Sequence, residues 1–266
     1  MKVYISADIE GIAGITDWEE ATKPHPTYPE FREEMTSEVV AACEGAIAAG
    51  ATEILIKDAH GTGRNIIASR LPDCARLIRG WSGHPLMMVQ ELDDSFAAVL
   101  LVGYHSKAGG EGNPLAHTLR MKIAQLRLNG EVASEFLLHS RAAALCGVPV
   151  VFVSGDKGLC HDVGRFNPRI TTVAVSEGIG PSTVSIAPAL AQRRIREGVA
   201  AALRGDLGAC RVPLPDRFTL EIVFSNPVDA YSASWYPGMQ HPASQTVRFE
   251  SDDYFEVMRA IRFIVL

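Results

Sequence analysis

Residues 97–105 read AAVLLVGYH, an apolar run that closes on a histidine. A strand with one wet face alternates apolar and polar side chains, whereas this run does not alternate. Continuous apolar character over so few residues predicts a strand covered on both faces, as in a parallel sheet sandwiched between helices.

Working outward from that run, neighbouring segments repeat the pattern. KVYISAD (2–8), TEILIKDAH (52–60), ARLIRG (75–80) and PVVFVSGD (149–156) read as further strands. Between the first two, residues 29–50 carry apolar side chains at helical spacing, with acids early and Gly50 where a helix would stop. Asn129-Gly130 lies between HTLRMKIAQLRL and EVA and predicts a type I′ hairpin, because both turn positions need positive φ. Ser134 is then placed to cap a buried helix through FLLHSRAAAL that ends at Gly147. Beyond Pro181 the pattern changes to a helix (186–203), a stiff VPLPD connector, strands FTLEIVFS and TVRFE, and a closing helix from Asp253. The expected fold class is α/β: a mostly parallel sheet flanked by helices over 1–180, with a smaller C-terminal α+β part over 181–266.

The whole-chain properties narrow the function. The 266 residues are 47% hydrophobic and 21% charged, ordinary globular proportions. A net charge of −6 without a basic run gives no footprint for nucleic acid. Asp8 and Glu10 interrupt any signal-peptide reading of the first residues, and no apolar stretch suggests a membrane span. Five scattered cysteines, never as C-x-x-C, argue against a disulfide framework or a thiolate zinc site, so a cytoplasmic protein is expected.

In open α/β sheets, ligands bind beyond the carboxyl ends of the strands. Those ends deliver Asp8 and Glu10, then Asp58 and His60, then His105. Residues two apart on an extended segment point to the same side, so each pair converges. Any one of these groups alone reads equally well as a solvated loop acid or a satisfied core histidine. Several at one sheet edge read as a metal site, since packed carboxylates repel one another unless a cation neutralises them. A carboxylate and imidazole set without thiols suits zinc, with manganese or cobalt as alternatives, and one carboxylate has oxygens enough to bridge two ions.

The residues also carry a resemblance. Ser6-Ala7-Asp8-Ile9-Glu10-Gly11-Ile12-Ala13-Gly14, Asp58-Ala59-His60, Gly103-Tyr104-His105 and Ala116-His117 occur in order. Glu91–Phe96, Ser154-Gly155-Asp156 and Pro237-Gly238 follow the same pattern. Together they resemble the zinc-dependent D-aminopeptidases of peptidase family M55, through essentially the whole chain. The resemblance implies two zinc ions per chain held by Asp8, Glu10, His60, His105 and Glu135, with Glu131 a neighbouring rival for the last place. Asp8 is expected to bridge, and His117 falls on the family's proposed catalytic histidine. Asp58 is expected to accept the second ring N–H of a ligating histidine. Lys57 and Tyr104 should point away from the site by alternation, and His25, His84, His139, His161 and His241 belong to no constellation.

The implied activity is metal-assisted hydrolysis of short peptides, with a D-residue at the N-terminus and His117 managing protons. The implied assembly is a homodecamer of two stacked rings enclosing a chamber. Two other readings remain open: a dinuclear-metal hydrolase of another amide or a phosphoester, and a non-catalytic peptide-binding protein.

Overall fold

The computed structural model describes residues 1–266. The first strand, β1 (Lys2–Ala7), is followed by a short helix α1 (Trp18–Ala21) and the long helix α2 (Tyr28–Ala48). Then come β2 (Glu53–Asp58), β3 (Ala75–Ile78) and β4 (Ala98–Tyr104). The hairpin β5 (Ile123–Leu128) and β6 (Glu131–Val132) leads into α3 (Glu135–Leu145), β7 (Val150–Asp156) and α4 (Lys157–Phe166). A second hairpin, β8 (Thr171–Ile179) and β9 (Ser182–Ser185), precedes α5 (Pro188–Arg204). The chain closes with β10 (Phe218–Phe224), α6 (Pro227–Ala233), β11 (Gln240–Ala243), β12 (Thr246–Ser251) and α7 (Tyr254–Val265).

These strands form two sheets. One runs β3-β2-β1-β4-β7-β8-β9 and is parallel except for β9. The other, β11-β12-β10-β5-β6, is antiparallel. The expectation from 97–105 holds: every residue of β4 is buried, as is every residue of β7. The second sheet shows the opposite signature, with β10 alternating buried and half-buried side chains along its length.

The two sheets do not divide the chain at one point. Hairpin β5–β6 lies before residue 181 yet pairs with β10. The expected division at 181 falls in the β8–β9 turn, and α5 beyond it packs on α2 and on β7 and β8. The hairpin itself is as expected, with Asn129 at φ 53° and Gly130 at φ 83°. Elements α4 and β8 were not anticipated. Helix α4 follows Asp156 without a break, so its ten residues with an apolar face of Leu159, Cys160 and Val163 run on from the strand, and β8 is only partly buried.

Strand order places the site. Chain order reverses between β1 and β4, the crevice where open α/β sheets hold ligands. The loops leaving β1 and β4 touch there: the Asp8 N–H donates to Val102 O (2.8 Å) and the Gly11 N–H to Gly103 O (2.9 Å). A Cβ on Gly11 would stand 1.7 Å from Tyr104 O, and one on Gly103, at φ 70°, would stand 2.3 Å from Asp8 O. Only glycine permits that approach, so the motif glycines are what bring Asp8 and Glu10 alongside His105.

Candidate metal centre

Asp8, Glu10, His60, His105, His117 and Glu135 come together in one cluster, contributed by the exits of β1, β2 and β4, the β4–β5 loop and the first turn of α3. His60 Nδ1 lies 3.3 Å from Asp8 Oδ1 and 3.0 Å from Glu10 Oε2. His105 Nε2 lies 3.6 Å from Asp8 Oδ2 and 3.5 Å from Glu135 Oε2. The two oxygens of Asp8 thus face different histidines, the arrangement of a bridging carboxylate. Glu135 is almost wholly buried, whereas Glu131 is exposed on the hairpin and does not join the cluster.

The imidazoles are oriented by main-chain carbonyls. A carbonyl only accepts, so the ring nitrogen facing it must carry the proton. His60 Nε2 donates to Ala21 O (2.8 Å), His105 Nδ1 to Ser106 O (2.9 Å), and His117 Nδ1 to Leu115 O (2.9 Å). Each ring consequently turns its other nitrogen toward carboxylate oxygen. His105 Nε2 is buried and has no hydrogen-bond partner. A lone pair facing two carboxylates is repulsive unless a cation lies between them. Two ligands about 2.05 Å from a tetrahedral zinc ion stand about 3.3 Å apart, close to the separations seen here. The donor set, its tautomers and the orphaned nitrogen therefore fit a metal ion.

Electrostatics point the same way. Burial opposes ionisation of Asp8, yet the rings of His105 and His60 hold its carboxyl well below the usual range. Burial likewise opposes ionisation of Glu135, which the neighbouring His105 brings down to about 2. Burial would lower both rings, but Glu10 and Asp8 raise His60, and Glu135 and Asp8 raise His105. The cluster demands positive charge, supplied by protons on the rings or by metal ions in their place.

Asp58 departs from its expected role. It does not touch the His60 ring, whose second nitrogen is already taken by Ala21 O. Its carboxylate instead accepts from the main-chain N–H groups of Asn65 and Ile66 and from the Asn65 amide, which also donates to His60 O. Asp58 fixes the loop carrying His60 rather than its ring. Asp156 plays a matching part: it caps α4 at Leu159 N and accepts from Ser106 N and Oγ, the residue after His105. Asn113, in the Gly-rich loop, donates to Glu10 O (2.7 Å), so that loop is tied to the cluster from within.

Lys57 and Tyr104 do turn away. Lys57 donates to Gly80 O and lies over the Trp81 ring, and Tyr104 pairs with Ser6. His139 differs from its expected bland role in one respect: one turn after Glu135, it donates to Glu135 O and keeps Nε2 buried without a partner. Helix α1 was missed, being too short for a periodic signal. It supplies Ala21 O to His60 and sets the Trp18 ring against His117, which stacks on His105 at 4.4 Å. The signal that could have found it is Asp17-Trp-Glu-Glu20, a complete capping box.

Asp8, Glu10, His60, His117 and Glu135 line a cavity of about 430 Å³ whose apolar walls include Trp18, Trp81, Met87, Met88 and Leu119. That is room for a small ligand of a few residues.

Comparison with known proteins places this geometry. The model of the peptidase M55 family, D-aminopeptidase, matches residues 1–263. A D-aminopeptidase of Bacillus subtilis (strain 168) is 32% identical over 263 residues, which cover 98% of this chain and 95% of that protein. Among solved structures, the Zn-dependent D-aminopeptidase DppA from Bacillus subtilis, a self-compartmentalizing protease, superposes with a TM-score of 0.94 at 30% identity. That match covers 99% of this chain and 96% of the other.

Proposed function

The chain belongs to the peptidase M55 family of D-aminopeptidases, and from that premise we propose that it is a zinc-dependent aminopeptidase acting on short peptides. The single observation that carries the reading is the cluster in which three carbonyl-oriented imidazoles face three buried carboxylates. We assign Asp8, Glu10 and His60 to one zinc ion and Asp8, His105 and Glu135 to a second, with Asp8 shared. Bound there, zinc would lower the pKa of water and polarise a carbonyl, the chemistry that amide hydrolysis needs at neutral pH.

The chain's own groups supply the rest. His117 holds its Nδ1 proton on Leu115 O and presents Nε2 at the cavity, 3.7 Å from Glu135 Oε1. It is placed to take a proton from the attacking water and return it to the leaving amine. Stacking on His105 and the Trp18 edge fix its ring plane, which is the orientation such a transfer requires. The apolar walls shed water from the substrate and strengthen every charge interaction inside. The free amino group of a peptide would be held at this same cluster, which would favour cleavage from the N-terminus.

The assembly is proposed as a homo-oligomer, with the homodecamer as its expected form. Val228, Tyr231 and Trp235 around α6 support self-association, since all three expose most of their surface although apolar. No helix is long and apolar enough to cross a membrane. A cytoplasmic setting fits the free state of all five cysteines.

The test is hydrolysis of matched D- and L-dipeptides, before and after chelation and zinc return. Cleavage that chelator abolishes and zinc restores is expected, with the D-series faster. His117→Ala should lower turnover by about 10²–10⁴ while keeping the metal. Phosphoester cleavage without peptide cleavage would overturn the reading.

A further inference from the structure

The cavity has a second charge pole. Lys23, Arg120 and Arg262 line it together with the acidic cluster. Elsewhere Arg70 pairs with Glu33, Arg196 with Glu44, Arg217 and Arg248 with Glu250, and Arg259 with Glu256, while the remaining arginines pair with no carboxylate. The three cavity cations pair with no carboxylate, and none of them reaches Asp8, Glu10 or Glu135, whose only ionic partners are histidines. Positive and negative groups therefore share one cavity without neutralising each other.

Of the three, Arg262 is the one the fold sets into the wall. Lys23 and Arg120 are exposed, so solvent screens them, whereas Arg262 is half-buried on α7. Its Nη2 lies 3.6 Å from where a Cβ would stand on Gly83, an ordinary contact distance, so the guanidinium packs beside the main chain of that turn. Leaving a partly desolvated guanidinium unpaired is unfavourable in the free protein, and an incoming carboxylate relieves it. The guanidinium fork matches a carboxylate in two parallel hydrogen bonds, which an ammonium does not reproduce. Trp81, Met87 and Met88 line the same cavity, and their low polarity strengthens such a pair.

Resting on the aminopeptidase reading above, we propose that Arg262 binds the C-terminal carboxylate of the substrate, which makes the preferred substrates short peptides with a free C-terminus. The amino-terminal residue then sits at the Asp8 cluster and the carboxylate at Arg262, both of which line the one cavity. An extended chain advances about 3.3–3.6 Å per residue, so each added residue moves the carboxylate past the guanidinium by a full step. Arg262 acts here on affinity, and its effect belongs in KM.

The experiment compares D-alanyl-glycine with D-alanyl-glycinamide on the zinc-loaded protein and on Arg262→Gln, Arg262→Lys and Arg120→Gln variants. Wild-type protein is expected to favour the free acid by about tenfold or more in kcat/KM, mostly through KM, as loss of a charge-assisted bidentate pair implies. In Arg262→Gln the acid-to-amide ratio should fall close to one. Arg262→Lys should retain part of it, and Arg120→Gln most of it. Equal use of acid and amide by the wild type, or a ratio unchanged by Arg262→Gln, overturns the assignment while leaving the aminopeptidase reading intact. Cleavage of neither peptide by the zinc-loaded wild type overturns both.

Discussion

Buried carboxylates around the site occur in two settings, and they are stabilised in opposite ways. Asp58 and Asp156 end β2 and β7 and are each surrounded by N–H and O–H donors from adjacent loops. Asp8 and Glu135 each receive a single main-chain N–H, from Ile9 and Leu119, and otherwise face histidines. The first pair is complete within the chain. The second set is completed only by a cation. Similar residues around the site thus divide into loop anchors and groups that face imidazoles, according to what surrounds them, which residue type and spacing do not reveal.

Changes to either set should separate them, and the largest effect is expected at the bridge. Asp8→Asn removes the charge that both His60 and His105 face. It should lose peptide turnover by more than the roughly 10–100-fold that removal of an outer partner costs, and should bind less zinc per chain. Stripped of metal at neutral pH, the same variant also loses the ring contacts that hold the Asp8 carboxyl below its usual range, so its Tm should fall modestly, by less than that of Asp58→Asn. A chelated thermal melt checks this, and a large fall in Tm would place Asp8 with the anchors.

Asp58→Asn should behave the other way round. Its amide would put N–H groups against N–H groups of the 60–66 loop, at a cost of about 1–3 kcal/mol. The metal-free protein should therefore lose stability in urea unfolding, and zinc affinity should drop by about 10–100-fold as His60 loosens. Unchanged stability with lost zinc would instead make Asp58 a ligand.

The smallest effect on the site, and the one most confined to pH, is expected at Glu38 on α2. Its Oε1 accepts from Ala13 N (2.8 Å), supporting the segment that carries Asp8 and Glu10, while its Oε2 is buried without a partner. Burial pushes this carboxyl up to about 8, against the pull of the Ala13 N–H and with help from Glu34. A raised carboxyl means that the folded protein keeps a proton the unfolded chain has released. The stability this confers is complete below the ordinary value of 4.5 and is lost as pH climbs toward about 8. The slope from this group is up to about 1.4 kcal/mol per pH unit. Glu38→Gln should flatten that decline in chelated protein unfolded with urea at pH 5 and at pH 7.5. An unaltered slope would show that Glu38 is already ionised.

Much of this was legible in the sequence because burial on both faces leaves a continuous apolar signature. AAVLLVGYH and PVVFVSGD announced the central strands, and the histidine or acid closing each strand announced the site edge. Glu135 came from the family resemblance, with Glu131 as its rival, while the Ser134 cap was legible in the sequence and does accept from Leu137 N. What escaped was set by tertiary contact. Nothing local tells that Ala21 O will orient His60, that Asp58 will be consumed by its own loop, or that Arg262 from the last helix will face a cavity built by the first strands. The second sheet's capture of β5–β6 belongs to the same class, whereas α1 carries a local signal in its capping box.

The central claim is that the Asp8 cluster is a metal centre rather than a buried network of protonated histidines. Elemental mass spectrometry on untagged protein purified without chelators measures this directly. The account predicts close to two zinc ions per chain, fewer in Asp8→Asn, and an unchanged number in Asp58→Asn given saturating zinc. A protein that carries no metal and takes up none on zinc titration would contradict it.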